Sequence, residues 1–174
     1  MNTLIKKIEI AANIAIIAVA LLIGGVVVKR YLLTERHAVP DTRITAGSKV
    51  SLPDIDWAKS DQTLLLVLHK GCRFCSESAP FYRRLVQETA VRNNVQLIAV
   101  LPEEVNEGRK YLSDLDVPID EVKQATPASL GASGTPTLIL VNKAGEVTAS
   151  WVGKLPAAEE SEVLNQLVAN RASN

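Results

Sequence analysis

Two residues stand out for their chemistry. Cys72 and Cys75 are the only cysteines in a chain of 174 residues, and Arg73 and Phe74 separate them. At the start of a helix this spacing puts the second sulfur one turn beyond the first, close enough to close a small disulfide. A thiolate at the first position can attack a disulfide, and the second thiol can resolve the mixed intermediate. The apolar run at 63–68 (TLLLVL) ends in a His69-Lys70-Gly71 turn, and helical periodicity begins at or beside the motif. Cys72 is therefore expected at a helix N-terminus, where free N–H groups and the macrodipole favour a thiolate. Arg73 adds a positive charge beside it, which favours the thiolate further and makes the disulfide more oxidising.

Other uses of two cysteines stay open at this level. They could be half of a zinc site, but there is no second pair, and further ligands would have to come from His37, His69 or carboxylates. They could bind copper, or they could be two unrelated buried thiols. No metal ligand set and no cofactor other than the cysteine pair itself are assigned. Two cysteines cannot form a framework that staples the fold. His69 is a candidate for proton transfer, with a plain turn histidine as the alternative. Glu77 and Glu103 are weaker candidates, read as solvated surface carboxylates.

The elements that must hold this pair follow from hydrophobic patterning. Residues 63–68 and 95–101 (VQLIAVL) read as strands buried on both faces. Residues 74–93 read as a helix kinked by Pro80. Two further helices are expected at 102–115 and 120–130. Strands at 137–141 and 146–152 are joined by Asn142-Lys143-Ala144-Gly145, a hairpin turn. A last helix at 156–170 carries Glu159, Glu160 and Glu162 early, which suits the helix dipole. The expected class is α/β, with a mixed sheet and helices on both faces.

Composition separates this domain from an N-terminal segment. Lys+Arg and Asp+Glu are both 19, so nothing suggests a nucleic-acid partner. The mean hydropathy of +0.13 averages two unlike parts. Residues 10–28 are apolar apart from Asn13 and the Gly24-Gly25 pair, with Lys6, Lys7, Lys29 and Arg30 flanking them. As a helix they would span about 28 Å, close to a bilayer's hydrocarbon core. The only Ala-x-Ala, Ala18-Val19-Ala20, is followed by Leu-Leu-Ile rather than by polar residues, which argues against a cleaved signal peptide. Residues 1–28 are thus expected to be a single transmembrane anchor, 29–48 a tether, and 49–174 the folded domain. The flanking charges do not by themselves place that domain on one side of the membrane.

The chain resembles the thioredoxin superfamily over about residues 49–170. The Cys-x-x-Cys motif follows an apolar strand, and Pro80 lies five residues after Cys75. Gly134-Thr135-Pro136-Thr137 is similar to the family's cis-proline segment. Gly145-Glu146-Val147 and Val152-Gly153-Lys154-Leu155 match its terminal hairpin and the glycine before its last helix. The stretch from Gly47 to Asp54 looks like the opening of redoxin or TlpA-type domains. Those are commonly tethered outside the bacterial inner membrane.

The resemblance implies a membrane-anchored thiol–disulfide oxidoreductase on the periplasmic side, acting on protein thiols and disulfides with a membrane or soluble redox partner. Cys72 would be its nucleophile and Cys75 its resolving thiol. It also implies a cis peptide at Thr135-Pro136 and a substrate groove shaped by Thr135, Pro136, Arg73 and Phe74. A thiol peroxidase and a non-enzymatic copper- or partner-binding module are the alternatives. The peroxidase pattern Pro-x-x-x-Thr-x-x-Cys is absent before Cys72. One departure from thioredoxins bears on mechanism: Leu66 stands where the family has a buried acid.

Overall fold

The structure is a computed structural model that describes residues 44–92 and 94–169. The expected anchor at 10–28 lies outside these residues. Among the described residues no helix is long and apolar enough to cross a membrane.

Five strands form one mixed sheet. They are β1 (Gln62–Val67), β2 (Val95–Leu101), β3 (Glu121–Gln124), β4 (Thr137–Asn142) and β5 (Val147–Val152). Their order in space is β3-β2-β1-β4-β5. β1 and β2 are parallel, as are β2 and β3, while β4 runs antiparallel to both β1 and β5. Every residue of the central strand β1 is buried, which is why from Leu64 onward its sequence is an unbroken apolar run rather than an alternating one.

Among the described residues four α-helices pack with the sheet: α1 (Arg73–Glu77), α2 (Ala79–Ala90), α3 (Val105–Asp114) and α4 (Ala157–Ala169). Alternate residues of the sheet feed two cores. Leu64, Leu66, Ala99, Leu101, Leu138 and Leu140 pack with Cys75, Tyr82, Leu112 and Val163, so all four helices share one face. Leu65, Val67, Ile98, Val100, Ile139 and Val141 pack on the other face under Val50, Leu52, Leu130 and Ala132, with Ile44, Ile55 and Trp57 against them. Helices on both faces were expected. The second face instead carries the segment from Ile44 onward and two short 3₁₀ helices, Trp57–Lys59 and Pro127–Leu130. That segment is stitched to β5: Gly47 N–H donates to the Val147 carbonyl, and Val147 N–H donates to that of Ser48. Contact with the domain therefore begins before Lys49.

Two other expectations are corrected. The helix expected at 120–130 is β3 followed by the 3₁₀ turn Pro127–Leu130. Four residues, of which only Val122 is buried, carry too little period to announce an edge strand. Pro127 then fits the first turn of a helix but not its interior. The helix expected from 74 is likewise two helices. Ser78, at φ −89° and ψ 0°, ends α1 and precedes α2. Pro80 falls in the first turn of α2, where its missing N–H leaves no helical bond unmade. The hairpin turn is as expected. The Asn142 side chain accepts from Ala144 N–H at 2.9 Å and Glu146 N–H at 3.0 Å, and Gly145 takes φ +76°. A bulge between Leu140 and Val141 moves Val147 to one core and Trp151 to the other despite their equal parity.

Candidate active site

The sheet's topology gathers the chemistry at one end. β1 and β2 are parallel, so the turns after Val67 and Leu101 emerge together. β4 is antiparallel, so it begins there: Thr137 pairs with Val67 on one side and with Val152 on the other. Cys72, Glu103, Pro136 and Gly153 all lie just beyond these strand ends.

Gly71 precedes the motif at φ +84°, a backbone region that other residues adopt only with strain. Cys72 is the N-cap of α1, and its N–H donates to the His69 carbonyl at 3.1 Å. Cys72 and Cys75 are joined as a disulfide, with Cα atoms 5.2 Å apart. Cys75 is fully buried, while Cys72 is half-buried at the surface. The Cys75 N–H donates to Cys72 Sγ at 3.2 Å. A donor in that position would stabilise a Cys72 thiolate as a charge-assisted hydrogen bond. Because α1 has only five residues, this directed N–H matters more than any macrodipole.

Thr135 and Pro136 lie beside Cys72. Their peptide bond is cis. The Thr135 carbonyl lies 3.4 Å from Cys72 Sγ, a contact rather than a hydrogen bond because a disulfide sulfur has no proton. The Pro136 carbonyl accepts from Gly153 N–H at 2.7 Å, and Thr137 Oγ1 donates to Gly134 at 2.7 Å. These bonds tie the loop to β5 and to itself. Phe74 is 54% exposed next to the sulfurs, an apolar surface free to meet a partner.

Arg73 is drawn into an ion pair beside the motif. Its Nε donates to Glu77 Oε1 at 2.6 Å, and Lys154 Nζ donates to Glu77 Oε2 at 2.9 Å. Glu77 thus bridges two cations, and the cluster of three side chains keeps one net positive charge beside the motif. Lys154 and then Arg73 hold the Glu77 carboxyl below its ordinary value of 4.5. A depressed carboxylate stabilises the fold above its unfolded pKa, and the gain is lost as pH falls through the lowered folded value. Because the cluster is exposed, the effect is small. The melting-temperature gap between wild type and Glu77→Gln should be present at neutral pH and shrink below about pH 4. A gap that is constant with pH would show that the charge plays no part.

His69 is exposed and makes no hydrogen bond to either sulfur among the described residues. Its Nε2 lies 3.9 Å from Glu103 Oε1. Glu103 is not the solvated carboxylate expected from the sequence: its side chain is only 14% exposed, and Oε1 accepts from Lys70 N–H at 2.9 Å. Leu66, at the position of the family's buried acid, is completely buried in the same core as Cys75 and Tyr82. Burial pushes the Tyr82 phenol well above its ordinary value, so it stays protonated. The Ser78 hydroxyl is turned to the Phe74 carbonyl at 2.8 Å, and the Tyr82 hydroxyl has no hydrogen-bond partner among the described residues. No group of three or more potential metal ligands occurs among the described residues.

Solved structures share this architecture. A Chlorobium tepidum protein assigned as the thiol:disulfide interchange protein DsbE superposes with a TM-score of 0.56 at 24% identity, over 72% of this chain and 97% of that one. A Neisseria meningitidis protein assigned as a thioredoxin gives 0.55 at 22% identity, over 74% and 93%. StoA from Bacillus subtilis gives 0.51 at 14% identity, over 71% and 95%. At these identities the likeness establishes a thioredoxin-like fold. No protein-family model matches the sequence, and no curated protein sequence does either.

Proposed function

We propose that the domain is a thiol–disulfide oxidoreductase that exchanges its Cys72–Cys75 pair with protein thiols and disulfides. The asymmetry of the pair carries this reading. One sulfur is at the surface, receives an N–H and lies beside Thr135. The other is sealed in the core behind it. In the reducing direction the Cys72 thiolate attacks a substrate disulfide and expels one substrate thiolate. Cys75 then loses its proton and attacks Cys72 Sγ, which releases the second substrate thiolate and restores the internal disulfide. Two electrons pass from the dithiol to the substrate. The oxidising direction reverses these steps. Thr135, Pro136 and Phe74 would form the rim against which an extended segment lies, with Arg73 at its edge.

We further propose that residues 10–28 anchor this domain in the cytoplasmic membrane with the domain on the extracytoplasmic side. The length and apolar character of that run support this. The partners would then be extracytoplasmic proteins and a membrane or soluble redox partner.

Both proposals are open to direct measurement. Equilibration of the full-length protein with glutathione buffers should give a single two-electron transition between dithiol and disulfide. A C-terminal topology reporter should read out on the extracytoplasmic side. Absence of exchange with any disulfide would overturn the first proposal, and a cytoplasmic C-terminus would overturn the second. Rapid peroxide consumption or tight binding of one copper ion that blocks exchange would favour the other uses of the pair.

A further inference from the structure

Glu103 lies two residues past the end of β2, beside the turn that leads to Cys72. Its side chain is largely buried, yet among the described residues it makes one hydrogen bond, from Lys70 N–H to Oε1. Its other oxygen, Oε2, is buried without a hydrogen-bond partner among the described residues. A carboxylate buried to serve the fold is normally satisfied at both oxygens, because a buried acceptor without a donor is costly. Among the described residues the one hydrogen bond of Glu103 goes to the turn that leads to Cys72. That turn has little else to fix it. His69 and Lys70 are exposed, Gly71 is in the left-handed region, and the one other bond within it runs from Cys72 N–H to the His69 carbonyl.

We propose that Glu103 is a positioning residue for the cysteine pair, an inference that rests on the oxidoreductase reading. Its carboxylate pins the Lys70 amide and so holds the His69–Gly71 turn in the form that makes Cys72 the cap of α1. With the turn pinned, Cys72 Sγ faces the Cys75 N–H, and the thiolate is stabilised. With the turn released, that alignment loosens, the thiolate is less favoured, and the disulfide becomes harder to reduce.

The test compares full-length wild type, Glu103→Gln and Glu103→Ala. The Gln variant keeps an oxygen for Lys70 N–H, and the Ala variant does not. Two readouts are taken: the rate at which iodoacetamide alkylates reduced Cys72, and the equilibrium of the pair with glutathione. For Glu103→Ala, alkylation at pH 7 should slow about tenfold, and the equilibrium should move about tenfold toward the disulfide, which is about 30 mV for a two-electron pair. Glu103→Gln should stay within about threefold of wild type. If the Ala variant does not fold, Glu103→Asp keeps the charge but shortens the reach, and it should move both readouts in the same direction as expected for Ala.

Wild-type values in Glu103→Ala, or in Glu103→Asp where that stands in for it, would overturn the proposal. So would a Gln variant that shifts as far as Ala, because the charge and not the hydrogen bond would then be at work. A wild-type protein that fails to exchange with disulfides would overturn the oxidoreductase reading instead, while the alkylation rates would still decide whether Glu103 positions Cys72.

Discussion

Replacing Cys72 with serine is expected to abolish disulfide exchange, lowering its rate at least about 10³-fold. Cys75→Ser should leave the first half of the reaction intact and stop it at a mixed disulfide. The difference follows from burial and from one hydrogen bond. Cys72 is at the surface beside the Thr135 carbonyl, and the Cys75 N–H points at its sulfur. Cys75 is fully buried, so a protein disulfide cannot reach it, whereas Cys72 Sγ is one bond away. Both variants lose the same internal disulfide. That bridge closes a very short loop, so by chain entropy its loss costs about 2 kcal/mol in either case. Loss of the same bridge with unequal chemistry is therefore the signature. Turnover of an insulin-type disulfide substrate measures the rate, and non-reducing gels show whether a covalent complex persists. A stable adduct on Cys75 in the Cys72→Ser variant would reverse the assignment of the two roles.

The parts of the fold legible in the sequence are those in which local pattern and tertiary environment agree. β1 and most of β2 are buried, so five apolar residues in a row, Leu64 to Leu68 and Leu97 to Leu101, mark them. The hairpin announces itself through Asn142 and Gly145, whose turn chemistry is local. β3 was not legible because an edge strand with one buried residue has almost no period, and its strand character comes from pairing with β2. The site divides in the same way. The cysteines and Pro80 are set by spacing within one helical stretch. Glu77 could be placed beside Arg73 from their i, i+4 spacing. Lys154, which completes that cluster, is 77 positions from Glu77, and nothing local points to it. The burial of Glu103 likewise depends on β1 and β2 ending side by side, which brings a residue that reads as a surface carboxylate against the turn before Cys72.

Leu66→Asp is expected to be severely destabilising, although it introduces an acid where thioredoxins carry one. Leu66 is completely buried in the central strand, in the same core as Leu64, Cys75, Tyr82 and Leu138. Tyr82, itself buried, has already left its hydroxyl without a hydrogen bond there among the described residues. Loss of the leucine contacts costs about 2–5 kcal/mol. An unpaired polar group adds about 1–3 kcal/mol. The sum is a large part of a typical domain's stability of about 5–15 kcal/mol. A melting temperature lower by on the order of 15 °C at pH 7 follows. The pH dependence gives the cause. In an apolar site the introduced carboxyl resists ionisation, so its folded pKa is raised above the unfolded value of about 3.9. The folded state then holds a proton that the unfolded state releases, and the variant loses stability as pH rises from about 4 towards 7. Leu66→Ala, which leaves a cavity but nothing to titrate, should show no such slope. Thermal melts of the two variants between pH 4 and 7 separate the cases. If the Asp variant matched the Ala variant at every pH and exchanged disulfides faster than wild type, the core behind Cys75 would be able to accept a proton-transfer acid, and the apolar environment of Leu66 would not be what keeps one out.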